Sequence, residues 1–300
     1  AETARTMREA AAALEEPGAA PRWPPAARLE RARTFIDHRS FDDADEMLAP
    51  LLDDADAALY EEARFLHARS LFKRRRHYAE AIAALDEIIE DGGPHASEAR
   101  FLRARALSRL DRDAEAIDAY REFASRSGAS ARAAYARFLA GRLEYYLGRH
   151  KRALGSMERL VGTGAPRGES GRRLGRGLPP SRARDAHFIA GMSALLADLP
   201  ARAADHLLAA SEGSSSAGAI ARNRYWHAVA RLEAGEPDAA ELLAGACADD
   251  PTGWYAHHAR RRLREAGLPA GACDPDRLAL LAVTLDGGLD AGAGTPVDDG

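Results

Sequence analysis

Residues 101–123, FLRARALSRLDRDAEAIDAYREF, carry two apolar stripes on either side of a short charged turn. Phe101, Leu102, Ala104 and Leu107 recur at offsets that share one helix face, and Ala116, Ile117, Tyr120 and Phe123 do the same. Asp111-Arg112-Asp113 joins them, so the reading is a helix, a turn and a second helix. Neither stripe can be buried by its own helix; each needs a neighbour.

Outward from this stretch the same unit returns. A small residue marks the middle of each first helix: Ala68, Ala104, Gly141, Gly191 and Ala228. An alanine marks the start of each second helix: Ala44, Ala81, Ala116, Ala153, Ala203 and Ala240, spaced 37, 35, 37, 50 and 37 residues apart. An aromatic stands three residues before the small one, as Phe65, Phe101, Phe138, Phe188 and Tyr225, and is expected to fill the space between units. Gly or Ala where two helices cross lets their axes approach to the short end of the usual ~8–10 Å. A constant period of this length predicts an all-α fold, a right-handed solenoid of stacked helix pairs.

The bulk properties agree. In 300 residues there are 42 Lys and Arg against 46 Asp and Glu, a near balance that gives no net field for steering toward nucleic acid. Hydrophobic residues make up 46% of the chain but aromatics only 6%, because much of the apolar content is alanine, which favours close helix packing. No run of about 18 apolar residues occurs, so no membrane span is expected. The chain opens at Ala1 without a basic-then-apolar leader, which fits a processed secreted protein or an excised piece. Cys247 and Cys273 have no metal-type spacing; they could form one disulfide, but the expectation is two unpaired thiols.

Domain organisation follows from the breakers. Residues 1–25 read as a helix over 2–16 and a lead-in through Pro17-Gly18 and Pro21-Arg22-Trp23-Pro24-Pro25. Residues 26–285 read as the repeat body, with Leu278–Leu285 opening a further unit, and 286–300 as a Gly- and Asp-rich tail or linker. The 50-residue step holds a Gly- and Arg-rich insertion at 162–182, with no helix expected; its arginines suit a solvated surface or an acidic contact.

No catalytic constellation is found. The chain has no GxxxxGK[ST] loop, no HExxH and no GxSxG, and Gly162, Gly164 and Gly168 miss the GxGxxG spacing. His257-His258 point about 100° apart on a helix and cannot grip one metal together. No cofactor, metal or catalytic residue is assigned. Arg69, Arg105 and Arg142 each follow the small residue of a first helix, a register that would form a basic ladder for a carboxylate or phosphate ligand. The competing reading pairs them with nearby acids.

One stretch resembles a known family. Arg224-Tyr225-Trp226-His227-Ala228 through Gly235, then Ala239-Ala240, Asp250-Pro251, Trp254-Tyr255 and Ala259 to Leu263 resemble the superhelical domain of soluble lytic murein transglycosylases. The match covers residues 220–265; upstream units resemble tetratricopeptide repeats generally. The resemblance implies the non-catalytic part of a peptidoglycan lytic transglycosylase in the periplasm or cell envelope, engaging cell-wall substrate or a protein partner. Tyr225, Trp226, Trp254 and Tyr255 would offer faces to sugar rings, or simply pack in the core. The family's catalytic glutamate motif is not reproduced; Glu169-Ser170 lacks its continuation, and the chain alone is expected to be inactive. The alternative is a free-standing tetratricopeptide scaffold that holds a peptide or protein partner in its groove.

Overall fold

The computed structural model describes residues 23–53, 57–162, 177–212, 216–249 and 253–268. Among these it contains thirteen α-helices and no strand. They are α1 (Pro25–Asp37), α2 (Phe41–Asp53), α3 (Ala57–Lys73), α4 (Tyr78–Asp91), α5 (Ala96–Arg109) and α6 (Asp113–Arg126), then α7 (Ala131–Tyr146) and α8 (His150–Val161). After the insertion come α9 (Pro180–Leu195), α10 (Pro200–Ser211), α11 (Ala217–Glu233), α12 (Ala239–Asp249) and α13 (Trp254–Glu265). The chain divides into two compact units between Ala140 and Gly141, inside α7.

Within the first unit α1 packs on α2 and α3, and α3 packs on α4 and α5. In the second, α9 packs on α8, α10 and α11, and α11 on α12 and α13. Odd-numbered helices thus touch the next helix and the next odd one, the pattern of stacked hairpins. The apolar stripes explain it: Ile36, Leu48 and Leu66, one from each of the first three helices, are all but inaccessible and share a single cluster. Burial of each contributes about 2 kcal/mol of transfer free energy.

The small residues stand where expected. Ala68, Ala104 and Ala228 are fully buried, and the series begins one unit earlier than the sequence reading had it, at Ala32. At Gly191 an added Cβ would lie 2.5 Å from Leu207 Cγ and 3.3 Å from the Ala203 carbonyl oxygen. At Gly141 it would meet the Met157 Cε at 2.9 Å. Of the second-helix alanines, Ala44, Ala81, Ala116, Ala153 and Ala203 are fully buried, whereas Ala240 is half-buried beside a buried Ala239. The aromatics Phe65, Phe101, Phe138 and Tyr225 are buried as predicted; Phe188 is only half-buried, its ring under the Arg222 guanidinium at 4.0 Å.

The turns repeat as closely as the helices. Arg39, Asp111, Gly148, Asp198, Gly235 and Gly267 all take left-handed φ after an odd-numbered helix. The next residue's N–H then reaches back five residues, for example Ser40 to the Phe35 carbonyl at 2.9 Å and Leu199 to Ala194 at 2.9 Å. This is the Schellman arrangement, which satisfies helix-terminal carbonyls and reverses the chain in the fewest residues.

Two expectations need correction. Helix α9 begins at Pro180, so Arg182 and Arg184 are helical rather than part of a loop; Pro180 sits in the first turn, where its missing N–H costs nothing. Cys247 is buried and disulfide-bonded, not an unpaired thiol, because spacing along a chain carries no information on the approach of two Cβ atoms. The helix expected over 2–16, the Gly- and Arg-rich stretch 163–176, Cys273, Leu278–Leu285 and the tail at 286–300 lie outside the described residues.

Candidate binding faces

Arginine recurs at one register of the first unit. Arg33, Arg69 and Arg105 lie on α1, α3 and α5, each one residue after the buried alanine. Arg33 lies outside the ladder read from the sequence, because the small-residue series there starts at Ala68. Its Nη2 donates to Glu62 Oε1 at 2.7 Å on α3, and Glu62 Oε2 lies 3.0 Å from His95 Nε2. The His95 ring in turn stacks on Phe65 at 4.6 Å. The hydrogen bond from Arg33 to Glu62 leads the effects holding that guanidinium's pKa above its ordinary value.

Arg69 Nη2 donates to Asp37 Oδ1 at 2.9 Å, and Lys73 Nζ donates to the same oxygen at 2.7 Å. The Lys73 hydrogen bond is the main cause that keeps the Asp37 carboxyl below its usual range. Arg105 differs: its guanidinium lies over the Phe72 ring at 5.0 Å, with no carboxylate partner among the described residues. Acid pairing therefore accounts for Arg33 and Arg69 but not for Arg105. Arg142, one residue after Gly141, falls in the second unit, while Arg33, Arg69 and Arg105 share the first.

The four aromatics chosen from sequence come together at α11 and α13 but play different parts. Tyr225 is 2% exposed, and its hydroxyl accepts a 3.0 Å hydrogen bond from Arg262 Nε. Its ring centroid lies 5.2 Å from Trp226, 5.6 Å from Tyr255 and 6.4 Å from Trp254. Tyr225 is core, in one cluster with Leu243 and Leu263, while Trp226 and Tyr255 are packed against that cluster and half-buried. Burial pushes the Tyr255 hydroxyl pKa up. Of the four, Trp254 alone is exposed, at 59%, with Tyr255 edge-on to it at 4.8 Å and the His258 ring tilted against it at 3.8 Å.

A third cluster was invisible in the sequence. His187 on α9 and His206 on α10 approach Nδ1 to Nδ1 at 3.1 Å, and His206 Nε2 lies 3.4 Å from Glu158 Oε1 on α8. Arg202 pairs with the same carboxylate oxygen. His206 is 4% exposed at a position where helical spacing calls for an apolar residue, next to Leu207. Burial leads the causes that lower both imidazole pKa values, that of His187 to about 4. The sequence signal was a polar residue inside the apolar face of α10, which can be recognised only once the face is known. No group of three or more His, Cys, Asp or Glu among the described residues is arranged to hold a metal.

The comparisons place this architecture in a class. The tetratricopeptide repeat family matches residues 98–130, which cover α5 and α6. The C-terminal part of a tetratricopeptide repeat-containing protein from Cytophaga hutchinsonii superposes with a TM-score of 0.57 at 15% identity, over 78% of this chain and 86% of that one. RapI in its apo form is similar with a TM-score of 0.53 at 14% identity, over 80% of this chain and 72% of that one. No curated protein sequence matches the chain. The fold is an all-α solenoid of tetratricopeptide-like helix pairs, and at these identities the structural likeness speaks for the fold alone.

Proposed function

We propose that this protein is a binding scaffold that holds an acidic peptide or protein segment against the odd-numbered helices of its first unit. The observation that carries this is Arg105: a guanidinium laid on an aromatic ring, half-buried, in register with two arginines already engaged by acids. The Phe72 ring holds the planar fork in place, which reduces the entropy lost when a carboxylate binds in bidentate fashion. Arg33 and Arg69 neutralise Glu62 and Asp37 on α3 and α1 of the same unit, so an incoming acidic group meets little repulsion from them.

A second reading keeps the likeness of residues 220–265 to lytic murein transglycosylases: a cell-envelope location, with Trp254 stacked on a glycan. The exposed Trp254 ring supports it, and the disulfide at Cys247 suits an oxidising compartment.

One experiment tests both readings. A displayed peptide library is selected on the full chain, peptidoglycan fragments are titrated in parallel, and each binder is measured against Arg105→Glu and Trp254→Ala. The scaffold reading expects acidic peptides whose affinity falls at least tenfold with Arg105→Glu and is unchanged by Trp254→Ala, a loss of about 1.4 kcal/mol or more. Selected peptides indifferent to Arg105→Glu would refute it. Glycan binding lost only with Trp254→Ala would establish the second reading instead.

A further inference from the structure

The His187–His206 pair belongs to neither proposed binding face. If His206 donates through Nε2 to Glu158, its Nδ1 is left as an acceptor, and the hydrogen between the two Nδ1 atoms belongs to His187. With ring centroids 5.4 Å apart and nitrogens 3.1 Å apart, the rings point nearly at one another along one hydrogen bond. The relay from α9 through α10 to α8 is satisfied only while at least one of the two imidazoles is neutral. A proton on His187 Nε2 leaves the bond intact but puts a charge in a desolvated site. A proton on His206 Nδ1 also leaves one bond, donated to the Nδ1 of a His187 that carries its hydrogen on Nε2; only when both rings are protonated do two N–H groups meet head to head at 3.1 Å and break it.

We propose that this relay is an acid-sensitive latch, which holds α9 on α10 and α8 at neutral pH and releases them locally when the two imidazoles take up protons. The surrounding charges set its threshold. From α8 the Glu158 carboxylate favours protonation of His206, as does Asp205 on α10, while Arg202 on α10 opposes it. His187 is opposed by burial and by His206 itself. From α11, Arg222 lies over Phe188 of α9, and the half-buried His227 is also kept below its ordinary pKa, by burial and then by Arg231, against the pull of Asp238 and Asp205. Burial leads the causes at all three imidazoles, so successive helices α9, α10 and α11 each carry a histidine whose pKa is lowered.

The sign follows from linkage. A histidine whose folded pKa lies below its unfolded value binds more protons when unfolded, so stability rises with pH across that window and is lost as pH falls through it. For His187 the window runs from about 6.5 down to about 4. Across it each titrating imidazole lowers the folding equilibrium constant about tenfold per pH unit.

The test uses the full chain. Hydrogen exchange, corrected for intrinsic rates, is compared at pH 7.5 and 5.0, and the histidine ring signals are titrated by NMR. The latch expects amides of α9 and α10 to lose at least tenfold protection at pH 5.0 while those of α4 and α5 change much less. It also expects His187 to titrate near pH 4 and His206 below the ordinary histidine value. His187→Gln combined with His206→Gln should flatten the difference, whereas the exposed His257→Gln should not. Ring titration near 6.5 for all histidines, or unchanged acid sensitivity in the double variant, overturns the proposal. If the double variant does not fold, the titration of the unmodified protein decides.

Discussion

At the residue scale, the crossing glycines show how unevenly one rule bears on two similar positions. Alanine in place of glycine in a helix interior gains about 1 kcal/mol of propensity. At Gly141 the nearest obstacle is the flexible end of Met157, which can turn aside, with Ser156 Cβ at 3.2 Å beside it, so Gly141→Ala is expected to stay within about 1 kcal/mol of neutral. At Gly191 the obstacle is the branch point of Leu207 with a backbone carbonyl behind it, so Gly191→Ala is expected to destabilise by about 1–3 kcal/mol. Urea midpoints of the two variants check the contrast, and Leu207→Ala should recover part of the Gly191→Ala loss because the two sites share one volume. The periodicity made both positions legible as small. Which of them tolerates a methyl was not legible, since that depends on a side chain 16 residues away in each case.

At the scale of the element, the turns hold stability that the sequence spent on other residue types. Arg39, Asp111 and Asp198 occupy the left-handed position that Gly148 and Gly235 fill in equivalent turns. A side chain there costs about 1–2 kcal/mol, offset in part by the extra ~0.4–1 kcal/mol of unfolded-state entropy that glycine brings. Arg39→Gly is therefore expected to stabilise by about 0.5–1 kcal/mol and Gly148→Ala to destabilise by about 1 kcal/mol, read as opposite shifts in thermal midpoint. A glycine between two apolar stripes, as at Gly148, marks a turn in the sequence. Arg39 and Asp198 carry no signature of left-handed φ, because the constraint comes from the reversal imposed by the helices on either side.

At the scale of the whole molecule, contacts within each unit run only between near neighbours along the chain, so a lesion should stay local. Leu263 of α13 is fully buried with Tyr225 and Leu243. Leu263→Ala is expected to cost about 2–5 kcal/mol and to raise exchange in α11–α13, with little change in α8 and α9. Uniform loss across the second unit would show longer cooperativity than the contacts describe.

The sequence by itself determined that the chain forms stacked helix pairs, where each pair begins, and which positions had to stay small. Those properties depend on periodicity, which one chain displays in full. The tertiary structure alone decided that Arg69 pairs with Asp37 while Arg105 lies over Phe72 with no carboxylate partner among the described residues, that Tyr225 is core while Trp254 is exposed, and that His187, His206 and Glu158 meet at all. Each depends on distances between helices, and a linear pattern holds no distances.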